Sequence, residues 1–122
     1  MVLRESTFED KNIRNLIVPV EFKWYNLEEY DFTENIEFST QAGVYIFLHR
    51  AAGKTGYTFD LLYCGMTSDL STRFCGHQKK ENLLSSNANM IGVHLCKDED
   101  EAKTLETKIL ESNEFKFNEQ HQ

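Results

Sequence analysis

A pair of short apolar runs around a glycine-containing turn limits most strongly what this chain can fold into. Residues 43–48 (GVYIFL) and 59–64 (FDLLYC) are rich in β-branched and aromatic side chains, which favour strands. Between them, residues 51–56 (AAGKTG) contain two glycines and are typical of a turn. The three segments therefore predict an antiparallel β-hairpin.

A helix, a strand and a second helix are predicted after the hairpin. Apolar spacing predicts the first helix over residues 70–81. Residues 90–96 alternate in the manner of a third strand. The last helix is predicted over residues 98–111, where Asp98 followed by Glu101 makes a capping-box pattern. The predicted order from the hairpin onwards is β-β-α-β-α.

The first 40 residues are harder to interpret, because their apolar and aromatic side chains follow neither the strand period nor the helix period. Some helix is expected there, interrupted at Pro19, which lacks a backbone N–H. No linker divides the sequence. We predict that residues 1–40 are an extension packed on the core as a lid or extra layer, and that residues 41–122 form the main domain.

Length and composition place the chain among small globular proteins. With 122 residues, 40% of them hydrophobic, one core is expected. The longest apolar run, residues 44–48, is far shorter than the roughly 20 residues that span a bilayer. Cys64, Cys75 and Cys96 show no C-x-x-C spacing, so neither a disulfide framework nor a zinc site is predicted. A reducing compartment, the cytoplasm, is expected.

Charge is distributed unevenly along the chain. The net charge of −7 is unusual for a protein that binds nucleic acid, because Lys and Arg normally neutralise the phosphate backbone. Residues 1–40 and 81–122 each hold four basic and nine acidic side chains, whereas residues 41–80 hold five basic and two acidic ones. The middle third thus predicts a basic face on an acidic body. A merely solvated surface is the alternative that charge alone leaves open.

Glu106 falls within the apolar stripe of the last predicted helix. At about 100° per residue, that stripe contains Ala102, Leu105, Ile109 and Leu110. A carboxylate that faces a core is costly unless a cation or a metal accompanies it, which indicates a functional role. The alternative is that Glu106 lies at the edge of the stripe and reaches water.

Two further pairs of residues carry groups suited to phosphate chemistry. In the helix predicted over residues 70–81, Arg73 and His77 stand four residues apart and share one ridge. Arg offers a permanent forked charge for phosphate oxygens, and His can donate or accept a proton near neutral pH. In the hairpin, Tyr45 and Tyr63 can lie side by side. A surface pair and two packing tyrosines are the alternatives.

Taken in order, these residues resemble the motif set of the GIY-YIG nuclease superfamily. The matching elements are Gly43-Val44-Tyr45, Tyr63-Cys64-Gly65, Asp69-Leu70 with Arg73-Phe74 and His77, Ala102 with Glu106, and Asn118. Val44 and Cys64 replace the isoleucines of the family's name, and the 17 residues between Tyr45 and Tyr63 exceed the commonest spacing. The resemblance implies an α+β fold with a small three-stranded, mainly antiparallel sheet flanked by helices and carrying the N-terminal extension.

The resemblance also implies a metal-dependent endonuclease that hydrolyses phosphodiester bonds in DNA with water as the nucleophile. Glu106 would hold one divalent cation, Mg²⁺ or Mn²⁺, and Arg73 would stabilise charge on the phosphate. Tyr45 would activate or orient the water with help from His77. Tyr63 would hold the scissile phosphate or the same water network.

Further residues are expected to support the site or to bind the nucleic acid. By the resemblance, Asn118 would orient a helix or backbone segment through hydrogen bonds. Arg50, Lys54, Lys79 and Lys80 are candidate contacts with DNA, and RNA stays open as the substrate. Cutting both strands would require a homodimer or two successive binding events by one molecule. The competing functions are a nucleic-acid-binding module without catalysis and an acidic protein that mimics DNA.

Overall fold

The computed structural model describes residues 1–118, which form one sheet of five strands and two helices. The strands are β1 (Arg4–Glu5), β2 (Lys23–Asn26), β3 (Gly43–Gly53), β4 (Gly56–Thr67) and β5 (Met90–Leu95), and the helices are α1 (Lys80–Ser85) and α2 (Glu99–Ser112). A single 3₁₀ turn at Asp10–Asn12 precedes β2. Neither helix of residues 1–118 has the length and apolarity needed to cross a membrane.

The strands follow the order β1-β2-β5-β3-β4, and all neighbours are antiparallel. The α+β class is therefore confirmed, but the expected three-stranded sheet is wrong, because the N-terminal region adds β1 and β2. β2 is held by pairing with β5, with Lys23 opposite Val93. Pairing between segments so far apart in sequence leaves little local signal. The division of the chain at residue 40 stays a prediction.

The β3–β4 hairpin turns at Lys54 and Thr55 alone, so its strands are longer and its turn is shorter than predicted. β5 pairs with β3 only as far as Leu48. Beyond this point the two strands continue without a third strand from residues 1–118 beside them. We call this part, residues 49–58, the hairpin arm.

A β-bulge in β4 interrupts the side-chain alternation of the hairpin. Leu61 and Tyr63 pair with consecutive residues of β3, so Leu62 is the extra residue between them. Bulges re-aim the side chains next to them. Tyr63 consequently faces the same side of the sheet as Tyr45, although strict alternation from Leu61 would turn it to the opposite side.

The sheet separates two hydrophobic clusters. The first includes Val44 and Ile46 of β3 and is covered by α2, so we call this side the α2 face. The second includes Tyr45 and Phe47 of β3 and is covered by α1 and the turns before it, so we call this side the α1 face. The predicted alternation along β3 is thus confirmed.

The helix predicted over residues 70–81 is wrong. Residues 70–79 form a series of turns, and regular helix begins only with α1. Gly76 has a φ of +68°, a left-handed conformation that interrupts a helix and favours glycine. Leu70 and Phe74 are nonetheless fully buried. The apolar spacing therefore identified the buried side chains but not the backbone that buries them.

The third predicted strand and the last predicted helix are confirmed as β5 and α2, with small shifts at their ends. Asp98 caps α2, because its carboxylate accepts a hydrogen bond from the N–H of Glu101 at 2.9 Å. The carboxylate of Glu101 accepts from the N–H of Lys97 at 3.2 Å instead of from that of Asp98. Only half of the expected capping box is therefore formed.

Candidate active site

Two buried tyrosines, one from each strand of the hairpin, lie side by side on the α1 face. The ring centroids of Tyr45 and Tyr63 are 6.2 Å apart. Gly65 makes room for them, since a Cβ at this position would collide with the hydroxyl of Tyr45 and the ring of Tyr63. The predicted neighbourhood of the two phenols is therefore present, and the bulge in β4 is what produces it.

His77 is hydrogen-bonded to Tyr45 and is held in one tautomer. Its Nε2 lies 2.8 Å from the hydroxyl oxygen of Tyr45, and its Nδ1 accepts a hydrogen bond from the backbone N–H of Lys79 at 3.0 Å. Because Nδ1 is an acceptor, the proton of the neutral ring must be on Nε2, which then donates to Tyr45. The O–H of Tyr45 is left to donate to a group outside this pair.

Burial keeps both members of this pair uncharged, and nearby cations reinforce the effect at His77 only. Burial, followed by the charges of Arg73 and Lys79, lowers the pKa of His77 to about 4. Burial also raises the pKa of Tyr45, and the guanidinium of Arg73 opposes that shift. At neutral pH a neutral imidazole therefore donates to a neutral phenol.

Arg73 reaches the same tyrosine, although not along a helical ridge as expected. Its guanidinium carbon is 5.9 Å from the ring centroid of Tyr45, within cation–π distance. The side chain is half-buried, and it takes part in none of the ion pairs described within residues 1–118. The turns of residues 70–79 thus bring Arg73 and His77 to one phenol and leave the guanidinium charge uncompensated.

Gln78 contributes a hydrogen bond that the sequence analysis missed. Its side-chain amide donates to the hydroxyl oxygen of Tyr63 at 3.3 Å. Burial raises the pKa of Tyr63, and the hydrogen bond from Gln78 is the largest of the opposing effects. Two consecutive residues, His77 and Gln78, therefore each donate to one of the two phenols. Its position directly after His77 was the only signal for Gln78 in the sequence.

Glu106 approaches the tyrosines from the α2 face. It is half-buried, and burial raises the pKa of its carboxyl while Lys103 opposes the shift. Burial, with a smaller contribution from the charge of Glu106, also raises the pKa of Tyr63 and of Cys64. Glu106 also lines one cavity with Asn118, which is hydrogen-bonded to Cys64, so the carboxylate lies near the outer edge of β4. Lys103 was missed by the sequence analysis, although its spacing three residues before Glu106 puts both on one side of a helix.

The C-terminal segment follows the outer edge of β4 and secures the bulge. The side-chain amide of Asn118 donates to the carbonyl of Cys64 and accepts from its N–H, both at 2.8 Å. The N–H groups of the two residues before Asn118 donate to the carbonyls of Leu61 and Leu62 at 3.0 and 2.8 Å. Asn118 thus holds the β4 backbone between the tyrosines and Glu106.

The four candidate nucleic-acid contacts divide into two groups. Lys79 is close enough to His77 to lower its pKa, and Lys80 begins α1 directly afterwards. Arg50 and Lys54 lie on the hairpin arm, on the far side of Leu48 from the tyrosines. Only the first group is near the site.

Few protein groups are available for the divalent cation that the motif resemblance implies. Within residues 1–118, no cluster of three or more His, Cys, Asp or Glu side chains could hold a metal ion. Glu106 offers a half-buried carboxylate without a hydrogen bond or an ion pair among these residues. One carboxylate fits Mg²⁺, which keeps several waters and shares the phosphate oxygens of a substrate. The residues fit a cation bound together with its substrate, not one held in a preformed cage.

Residues 41–119, almost two thirds of the chain, match the family model of the GIY-YIG catalytic domain. Comparisons with curated proteins and with solved structures gave no significant match. The matched segment contains both strands of the hairpin, the turns that carry Arg73 and His77, and α2 with Glu106. By this match the chain belongs to the GIY-YIG nuclease superfamily.

Proposed function

We propose that this protein is an endonuclease that hydrolyses phosphodiester bonds in DNA, with water as the nucleophile and a divalent cation held by Glu106. The proposal is supported by one observation: two phenols, a guanidinium without an acid partner and a half-buried carboxylate converge at one edge of the sheet. Phenols and a guanidinium are suited to phosphate oxygens, and a carboxylate is suited to the cation.

Tyr45 is the group that contacts the attacking water in this proposal, and His77 positions it. The hydrogen bond from Nε2 of His77 orients the phenol. To take a proton from water, Tyr45 must first release its own proton to solvent and become a phenolate, a form that the N–H of His77 and the charge of Arg73 stabilise. His77 cannot accept that proton at Nε2, because this nitrogen already carries one. General-base work is therefore assigned to Tyr45 alone.

Tyr63 and Arg73 hold the scissile phosphate in this proposal. The hydroxyl oxygen of Tyr63 accepts from Gln78, so its own O–H can donate to a non-bridging phosphate oxygen. Arg73 offsets the negative charge that builds on these oxygens in the transition state. Neither group has to move across the sheet to reach the phosphate that Tyr45 faces.

Glu106 is the residue that would hold the cation. When bound, a divalent cation neutralises charge on the phosphate and on the leaving oxygen. Lys103 favours the ionised form of the Glu106 carboxyl, which is the form that binds metal. Asn118 supports the β4 backbone that separates this carboxylate from Tyr63.

Plasmid cleavage after purification in EDTA tests the proposal. The wild type should nick supercoiled plasmid only after Mg²⁺ or Mn²⁺ is added. Glu106→Gln keeps the size of the side chain and removes its charge, and Tyr45→Phe removes only the hydroxyl. Each should lower the nicking rate by about 10²–10³-fold. Full activity of Glu106→Gln would refute the metal assignment, and wild-type activity of Tyr45→Phe would refute the role of the phenol.

Binding measurements distinguish the competing functions. Fluorescence anisotropy in EDTA reports whether the wild type binds a labelled DNA duplex. A protein that binds DNA and never cleaves it would be a binding module, and one that neither binds nor cleaves nucleic acid would fit an acidic DNA mimic. Faster cleavage of RNA than of DNA would change the substrate assignment.

A further inference from the structure

The hairpin arm (residues 49–58) is fixed at its base and exposed at its tip. On its β3 edge, the side chain of Asn89 makes hydrogen bonds to the N–H and the C=O of Arg50 at 2.7 and 2.9 Å. On its β4 edge, Asn15 donates to the carbonyl of Phe59 at 2.9 Å. Both amides replace the pairing that a third strand would give. The arm therefore extends from the sheet in a defined direction.

The arm is basic although the protein is acidic. Between Glu37 and Asp60 the sequence holds no carboxylate, whereas Arg50 and Lys54 each carry a positive charge. None of the ion pairs described within residues 1–118 involves either side chain. Two cations without an acid partner complement a polyanion such as a phosphate backbone.

Aromatic rings, not an acid, hold Arg50 in place. Its guanidinium carbon lies 4.7 Å from the ring centroid of Phe8 and 4.8 Å from that of Tyr57. The two ring centroids are 5.2 Å apart, so both rings lie on one side of the guanidinium and leave N–H groups free for phosphate oxygens. Tyr57 is 52% exposed, so the contact between Arg50 and this ring lies at the surface of the arm.

An open groove lies beside β4, between the base of the arm and the C-terminal segment next to the proposed active site. It has a volume of about 840 Å³, and its lining includes Asn15 and Asp60 at the base of the arm and Asn118 beside the site. Lys116 also lines it, but Asp60 and Glu114 offset that charge. The cations of the arm and of the site do not line the groove and lie on either side of it. This arrangement fits a duplex that follows β4 and contacts the protein at both ends.

The distance between the two ends sets the length of that duplex. Tyr45 and Gly53 are eight residues apart on β3, which corresponds to about 27 Å at about 3.4 Å per residue. DNA rises about 3.4 Å per base pair, so the same length is about eight base pairs. We propose that the hairpin arm binds the DNA backbone about eight base pairs from the scissile phosphate, so that the substrate is a duplex that continues at least this far on one side of the cut. The inference rests on the proposed nuclease function.

Binding to duplexes of two lengths, in EDTA so that no cleavage occurs, tests the inference. A labelled duplex of about 24 base pairs can reach both the site and the arm, whereas one of about 5, closed by a loop at one end so that it stays paired, spans only about 17 Å and cannot reach both. Lys54→Ala should weaken binding of the longer duplex about five- to tenfold and leave binding of the shorter one unchanged. For the longer duplex, the slope of log Kd against log salt should fall by about one, as expected for one lost phosphate contact. Lys54 is exposed in the turn, so its removal should not unfold the protein.

Lys108→Ala is the matched control, because it removes the same charge from an exposed position on α2. It should bind both duplexes as the wild type does. Equal affinity of Lys54→Ala and the wild type for the longer duplex would overturn the inference, as would an equal loss in Lys108→Ala. A wild type that fails to nick plasmid in Mg²⁺ would refute the nuclease proposal, whereas the arm is judged by the binding data of Lys54→Ala and Lys108→Ala.

Discussion

Residues 1–40 and residues 41–118 differ in whether their charged side chains form ion pairs. The ion pairs between described residues all lie in the first region, as in the pair of Arg4 with Glu28. In the second region, the guanidinium of Arg73 packs over an aromatic ring and has no such partner. The comparison teaches that an acidic total charge can coexist with a cation that no carboxylate neutralises, because the ion pairs among the described residues are concentrated in one region.

Among the tests of this difference between the two regions, the largest effect is expected at Arg73. Arg73→Ala should lower the rate of plasmid nicking by about 10²–10³-fold, because the phosphate would lose a charged donor in a poorly solvated site. Arg4→Ala removes an exposed ion pair and should change stability by no more than about 1 kcal/mol, with no change in nicking. Nicking rates and urea unfolding midpoints check both variants. Equal losses of activity would show that paired and unpaired arginines do not differ.

A somewhat smaller effect is expected in the pH dependence of stability. The pKa of His77 is lowered from 6.5 to about 4 in the folded protein, so the unfolded chain takes up this proton first as the pH falls. Stability should therefore decrease between pH 6.5 and 4, with up to about 3 kcal/mol of the loss due to His77. His77→Gln cannot titrate and should lack this part of the loss in urea unfolding. Identical pH dependence in both proteins would show that burial and the nearby cations do not keep His77 uncharged.

The smallest effect is expected at Gln78, which neutralises no charge. Gln78→Ala should lower the nicking rate about three- to tenfold, because Tyr63 loses the donor that orients it. Gln78→Lys keeps a donor at this position and should recover most of the rate, whereas Gln78→Glu cannot donate and should not. An equal loss in the Lys and Ala variants would show that the hydrogen bond has no role. Circular dichroism should confirm that all three variants are folded.

Local patterns predicted the elements whose signals are local. β5 and α2 each follow from one clear period, and α2 also has a cap at Asp98. β1 and β2 span only two and four residues, and pairing across the sheet holds them in place, so the sequence around them carried no period. The turns of residues 70–79 were missed because Leu70 and Phe74 have helical spacing, whereas Gly76 sets the backbone.

The site was predicted as a set of residues, but its geometry was not. Motif order identified the five candidate residues, and whether they act in catalysis stays a prediction. The tautomer of His77 depends on the backbone N–H of Lys79, a contact that no motif encodes. The orientation of Tyr63 depends on a bulge that side-chain alternation cannot indicate. Contacts of this kind are decided by three-dimensional packing and not by residue type.

The bulge at Leu62 divides the hairpin into two parts whose lengths can evolve independently. On one side, Asn118 fixes the register at Cys64. On the other side, the strands continue to the turn and away from the tyrosines. Pairs of residues can therefore be gained or lost in the arm without rotating Tyr63 away from its neighbours. The long spacing between the two tyrosine motifs then changes only how far the arm extends from the sheet. The geometry around the two tyrosines stays the same.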